Sequence, residues 1–263
     1  MDRTYDENPL TPREQDELED DLISFCDREL DLLGDIRDLR VLYAGGSSPL
    51  WIEGLSQRVG EGGHLVAIDL DAERVDETQA SLGEAELAAS VRLFASDVFA
   101  MPFDPDSFDL VYSSGLFHEL DVSERGAENA LVALRSVVRP GGRVVTADFV
   151  DSEPAVQLED EELEAELRSA SYGSEVYGIG PPERLISLHR NLFRNVRSQV
   201  SEPQEIRHLW KLILAEEEPQ ALSSLPSEVA LRWRERRQRL RERIVNENYT
   251  RPATLYVEGV KAR

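Results

Sequence analysis

A glycine turn, two aspartates near strand ends and one histidine are the residues here whose types and spacing could do chemistry. Gly45-Gly-Ser-Ser-Pro follows the β-rich run Arg40-Val-Leu-Tyr-Ala44, and Asp69 closes a second such run that begins at His64. A glycine turn lets the backbone come close to a ligand, and a carboxylate at the end of the next strand can accept both hydroxyl hydrogens of a ribose. Asp97 stands just past a third run, Val91 to Phe94, and His118 just past a fourth, Asp109 to Ser113. A neutral imidazole can accept a proton near pH 7, so His118 is a candidate general base. Each residue also has a plainer reading. Asp69 could cap the following helix, although Asp71 suits that role better, and Asp97 could be a solvent-facing turn residue. His118 and Glu119 could simply begin the connection to a capping box, Asp121-Val-Ser-Glu124.

These residues need a scaffold that sets them at strand ends. Between Leu39 and Val150 short β-rich runs alternate with helical stretches, the fifth run being Arg143 to Asp148. That alternation predicts a doubly wound parallel α/β sheet whose ligands bind beyond the carboxyl ends of the strands. Ahead of it, Thr11-Pro-Arg-Glu14 forms a capping box with proline at the first helical position. Leu18, Leu22, Cys26, Leu30 and Leu33 then make one apolar stripe on an acidic helix that Gly34 ends. After Val150 an acidic run, Asp151 to Glu166, reads as a solvated helix face, followed by a helix, Arg184 to Phe193, and a strand, Asn195 to Val200. A two-helix insert over about residues 202–247 precedes the last strand, Ala253 to Val260. Ile206, Leu209, Trp210, Ile213 and Leu214 fit one helical stripe. Ala230, Trp233, Leu240 and Ile244 fit a second, among seven arginines from Arg232 to Arg243. The domain expectation is therefore a helical cover over 1–38, an α/β core over 39–150 and a continuation of the same domain over 151–263.

In sequence order, four motifs resemble those of the class I S-adenosylmethionine (SAM)-dependent methyltransferase family. They are Val41-Leu-Tyr-Ala-Gly-Gly-Ser-Ser-Pro with Asp69 following Val41 by 28 residues; Ser96-Asp97-Val98 with Ala100-Met-Pro-Phe103; Phe108 to Leu120; and Leu134-Arg-Ser-Val-Val-Arg-Pro-Gly-Gly-Arg-Val-Val145. The resemblance covers residues 39–150 and implies a seven-stranded, Rossmann-like sheet with SAM as cofactor. Carried over by position, it implies cofactor contacts from Tyr43, Gly45, Gly46, Ser47, Asp69 and Leu70 on the first two strands. Ser96, Asp97, Val98 and Ser113 follow on the third and fourth. Asp69 would take the ribose and Asp97 the adenine amino group. The chain departs from the family at Tyr43, where an acid is usual, and at Ser47 and Pro49, where glycines are usual. Pro49 suits the first helical position with Ser48 as its N-cap.

The expected activity is methyl transfer to an oxygen, nitrogen or carbon nucleophile of a small molecule, with Tyr172, Tyr177, His189 and Arg190 as candidates for the acceptor wall. Two other classes remain open. One keeps the fold and binds SAM or a substrate without transfer, as a pericyclase-like or regulatory module. The other, a nicotinamide-linked dehydrogenase, lacks its fingerprint, because G-x-G-x-x-G needs glycines at 47 and 50 where Ser47 and Leu50 stand.

Composition bounds the partners. A formal charge of -23 disfavours phosphate polymers, so no nucleic-acid partner is expected; the arginines of the insert should pair with carboxylates internally or across a homodimer interface. No stretch approaches the roughly 20 apolar residues of a membrane span, and the first residues carry no signal-peptide pattern. A cytoplasmic location is the expectation. One cysteine, Cys26, and four unclustered histidines give no expectation of a disulfide or a bound metal.

Overall fold

The computed structural model describes residues 9–83, 85–123, 126–151 and 155–263. The capping-box residue Glu124 and the first eight residues of the expected cover lie outside the described residues.

The cover is one helix, α1 (Pro12–Asp31), and its capping box is formed on both sides: the Glu14 amide donates to the Thr11 hydroxyl and the Thr11 amide to the Glu14 carboxylate. The core then alternates as its patterning predicts: β1 (Arg40–Ala44), α2 (Pro49–Val59), β2 (His64–Asp69), α3 (Ala72–Leu82), β3 (Ser90–Ala95), β4 (Phe108–Ser114), α4 (Ala127–Val137) and β5 (Val138–Phe149). It continues through α5 (Ala155–Tyr172), α6 (Glu183–Leu192) and β6 (Arg194–Val200). A two-residue strand, β7 (Gln204–Glu205), leads into α7 (Leu209–Ala215) and α8 (Ser227–Glu247), and β8 (Thr250–Arg251) leads back to β9 (Thr254–Val260).

Seven strands form one sheet in the order β3-β2-β1-β4-β5-β9-β6. The first five are parallel, and β9 slots antiparallel between β5 and β6. The chain runs outward from β1 through β2 to β3 and then crosses back to β4 on the other side of β1. Two neighbouring strands thereby part company at their carboxyl ends, which leaves a crevice there.

Both faces of the sheet are covered, and alternation along β1 assigns them. Val41 and Tyr43 join a core with Phe25, Cys26 and Leu30 of α1 and Ile52 and Leu55 of α2. Leu42 and Ala44 join the opposite core with Leu131 and Leu134 of α4. The stripe on α1 therefore packs onto the sheet, with Leu30 and Leu33 fully buried.

Two expectations about the second half of the chain change. The stripe from Ile206 to Leu214 is not one helix, because His208 takes a left-handed backbone (φ 65°) and α7 starts only after it. The neighbouring polar residues turn instead to the cover helix: His208 Nε2 lies 2.8 Å from Glu17, Arg207 pairs with Asp21 and Lys211 with Glu14. The acidic run is not merely a solvated face, since it supplies the partners of the arginine-rich helix. On α5, Glu159 meets Arg243, Glu166 meets Arg236, and the buried Asp160 meets Arg237.

Asp160 also accepts from the Tyr249 hydroxyl at 2.7 Å, and Arg237 reaches Glu216 at 2.7 Å. The third hydrophobic core, with Leu163, Trp233 and Leu240, surrounds this network. Removing one member leaves a buried charge without its main partner, which generally costs more than replacing both. Asp160→Ala is therefore expected to lower unfolding free energy in urea by about 3 kcal/mol. The double substitution Asp160→Leu with Arg237→Met should lose clearly less, and equal losses in the two proteins would contradict this account.

Candidate functional site

At the crevice a cavity of about 790 Å³ opens, within the range of about 300–1,000 Å³ usual for small-molecule sites. Its walls come from the segments that follow β1, β2, β3 and β4. The β1–α2 turn gives Gly45, Gly46 and Ser47; the end of β2 gives Asp69 and Leu70; the segment after β3 gives Ser96, Asp97 and Val98. Tyr43 lines it from within β1. All of these are residues singled out from the sequence, now on one cavity.

The turn works because Tyr43 needs room. Its ring lies directly under Gly46, where an added Cβ would come within 2.3 Å of the phenol, and Gly45 holds a positive φ of 77° with Leu116 packed against it. The Tyr43 ring stacks on Tyr112 of β4 with centroids 5.5 Å apart. Burial, reinforced by the nearby charge of Glu29, pushes the Tyr43 phenol well above its ordinary pKa, so the side chain stays neutral. Ser48 precedes α2 as expected, but its side chain makes no capping bond and Pro49 begins the helix.

Asp69 accepts from the Ser47 hydroxyl at 2.9 Å with one oxygen and from the Asp71 amide at 2.9 Å with the other. Asp71 caps α3 through the amides of Glu73 and Arg74, so the capping role belongs to Asp71 and leaves Asp69 facing the cavity. Asp97 accepts from the Phe99 amide at 3.0 Å and caps a short turn of 3₁₀ helix while lining the same space. Leu70 is 73% exposed, an apolar side chain presented to whatever enters.

Two predicted site residues stand elsewhere. Ser113 is fully buried and does not line the cavity; the strand's period of two turns its neighbour Ser114 toward it instead. His118 is 8% exposed and also lies outside the cavity. Its Nδ1 sits 2.7 Å from Asp148, which also accepts from the Phe117 amide at 2.6 Å. Desolvation lowers the imidazole pKa, but the charge and hydrogen bond of Asp148 outweigh it and raise the pKa above 6.5. The pair with Asp148 ties the loop after β4 to β5. Among the acceptor-wall candidates only Tyr172 lines the cavity. Tyr177 packs under the Arg184 guanidinium 3.9 Å from its ring, and His189 is fully buried beside Thr146, with burial pulling its pKa down to about 3. Arg190 is exposed on α6.

Sequence reasoning missed Glu29. From α1 this carboxylate, 7% exposed, reaches the middle of the sheet and accepts from Trp51 Nε1 at 2.9 Å, from Ser114 Oγ at 2.7 Å and from the Tyr112 hydroxyl. The available signal was its place one residue before Leu30, inside the apolar stripe. Among the described residues no group of three or more His, Cys, Asp or Glu could hold a metal, and no helix is long and apolar enough to cross a membrane.

Comparison with known proteins agrees with this geometry. A family profile described as a methyltransferase domain matches residues 41–142. The ubiquinone/menaquinone biosynthesis C-methyltransferase UbiE of Idiomarina loihiensis is 30% identical over 121 residues, 46% of this chain and 46% of that protein. The chain thus matches about half the length of this curated relative. Solved structures share the fold over most of the chain. The YcgJ protein of Bacillus subtilis aligns with a TM-score of 0.56 at 14% identity, over 91% of this chain and 99% of its own. A Haemonchus contortus phosphoethanolamine N-methyltransferase, in complex with S-adenosylhomocysteine, aligns with a TM-score of 0.57 at 13% identity, over 89% of this chain and 52% of its own. Residues 41–142 are thus similar to the methyltransferase domain of SAM-dependent methyltransferases, and the rest of the chain completes the fold those proteins share.

Proposed function

We propose that this protein binds SAM in the 790 Å³ cavity and transfers its methyl group to an oxygen, nitrogen or carbon nucleophile of a small molecule. The observation that carries the reading is the convergence of Asp69, Asp97 and the Gly45–Gly46 turn on one cavity at the sheet's crossover crevice. Asp69 can accept from a ribose diol, its bond from Ser47 being the one a diol would replace. Asp97 can accept from an exocyclic amino group, and the exposed Leu70 offers a face to a purine. The donor set of the ligand thus meets acceptors, and the residues present fit it.

When bound, SAM supplies an electrophilic methyl group on a sulfonium. The chain's part is to hold that group in line with the acceptor and to exclude water, which supplies most of what such a displacement needs. Tyr43 contributes a neutral ring wall, and an aromatic face attracts a cation without offering it a nucleophile. No base is assigned, since His118 does not line the cavity. The UbiE name supports carbon as the acceptor atom, but that match spans only 46% of this chain. The remaining part of the acceptor wall is this chain's own.

Calorimetric titration tests the reading. SAM and S-adenosylhomocysteine should both bind, and Asp69→Ala should weaken both about tenfold or more, the scale of hydrogen bonds to a charged group. No binding of either compound would end the proposal. His118 gives a separate check. Because its folded pKa is raised, the stability it adds is fully present below the unfolded value near 6.5 and fades as pH rises through the folded one. The stability difference between wild type and His118→Gln should therefore be larger at about pH 5.5 than at about pH 9, read from urea midpoints at both pH values. A difference independent of pH would remove the charged pair from the account.

A further inference from the structure

Behind Glu29 lies a second cavity, of about 170 Å³, between α1 and strands β6 and β9. Phe25, Leu32 and Tyr256 give it apolar walls, and Glu29 and Thr254 give it polar ones. Two polar groups there are left with something to bind. All three hydrogen bonds that Glu29 accepts end on Oε1, so Oε2 has no donor among the described residues, although the side chain is more than nine-tenths buried. The Thr254 hydroxyl is buried without a partner among the described residues. Leaving the hydroxyl unmatched costs free energy that a ligand reaching it would recover, and Glu29 Oε2 adds an acceptor for a ligand with a donor. Arg28 also lines the cavity, but its guanidinium is already turned to Ser24 and Gln204.

Size narrows the occupant. A dry cavity of about 150 Å³ is enough to hold benzene. This one matches that volume and adds a carboxylate oxygen and a hydroxyl. An anionic head is disfavoured beside Glu29. We propose that the cavity is a binding site for a compact apolar molecule with a hydroxyl donor, a phenol or an alcohol of similar size, whose hydroxyl donates to Glu29 Oε2 and accepts from Thr254. Glu29 is also the link between this site and the first cavity, because Ser114, which donates to its Oε1 at 2.7 Å, lines the larger one. The occupant therefore sits one side chain away from the cofactor cavity. The inference stands apart from methyl transfer, since it concerns a different cavity and needs no reaction.

Ligand-observed NMR on the full chain, with and without S-adenosylhomocysteine, tests it with three probes: phenol, its methyl ether anisole, and benzoate. Phenol should bind at least about tenfold more tightly than anisole, which keeps the ring but has no donor, and more tightly than benzoate. Glu29→Gln should lose a similar factor for phenol. Because Glu29 is buried and its replacement could unsettle the fold, Thr254→Val, which keeps the side-chain shape, is a second variant and should also weaken phenol. Absence of phenol binding, equal affinity for phenol and anisole, or phenol affinity unchanged in both variants would each overturn the site. Titrating S-adenosylhomocysteine on the same samples keeps the two readings separate: phenol binding without it sinks only the methyl-transfer proposal, and the reverse sinks only this one.

Discussion

Placing a carboxylate in the interior is costly unless donors meet it, and Glu29 turns that cost into a constraint on the whole cover. Its donors come from three places: Trp51 on α2, and Tyr112 and Ser114 on the central strand β4. Helix α1 can satisfy them only at one rotation and one height over the sheet. That rotation sends Leu18, Cys26 and Leu30 into the core and leaves Glu14, Glu17 and Asp21 on the side where the insert arrives. The insert's Arg207, His208 and Lys211 then dock on those acids. One buried acceptor thus sets the cover, and the cover sets the insert, so the approach to both cavities follows from a residue in neither motif nor loop.

The parallel core was legible because each of its signals is local. The runs ending at Ala44 and Asp69 are short and rich in branched residues, and the helices between them begin at Pro49 or after Asp71, where backbone chemistry is specific. Asp69 and Asp97 were legible for the same reason: a carboxylate near a strand end in a doubly wound sheet has few places to point. Ser113 and His118 were not, because the strand's last residues fix which side chain faces out only once the exact end of β4 is known, and one residue reverses it. His118 also has a partner, Asp148, that is thirty residues away in sequence, and no spacing rule links a strand-end acid to a histidine on another connection. The break at His208 escaped a pattern of apolar residues because the forces that cause it are polar and come from α1.

The strong acidity takes on a different meaning when pairs are traced. Seven of the arginines are gathered on α8, where they meet acids of α5 and of the segment before α8: Arg243 with Glu159, Arg236 with Glu166, Arg234 with Glu218. Exposed pairs of this kind contribute little individually. Their effect is rather to pair two helices that each carry an excess of one sign, while the apolar contacts of Trp233 and Leu240 supply most of the attraction.

Tyr43, near the end of β1, is the chain's main departure from the methyltransferase motif it resembles, in which an acid is usual there, and the packing explains how the loop accommodates it. A larger side chain under the turn requires that the residue above have none, and Gly46 meets that requirement. The ring then stacks on Tyr112, and Tyr112 in turn donates to Glu29. A negative charge therefore still stands close to this part of the cavity, but it comes from the cover helix and acts through two aromatic rings and a serine rather than from the strand itself. Such an arrangement makes the charge at the site conditional on the cover being docked. With the acid on β1 that charge would come from the sheet itself; here it comes from α1, so it stands beside the cavity only with that helix docked on β4.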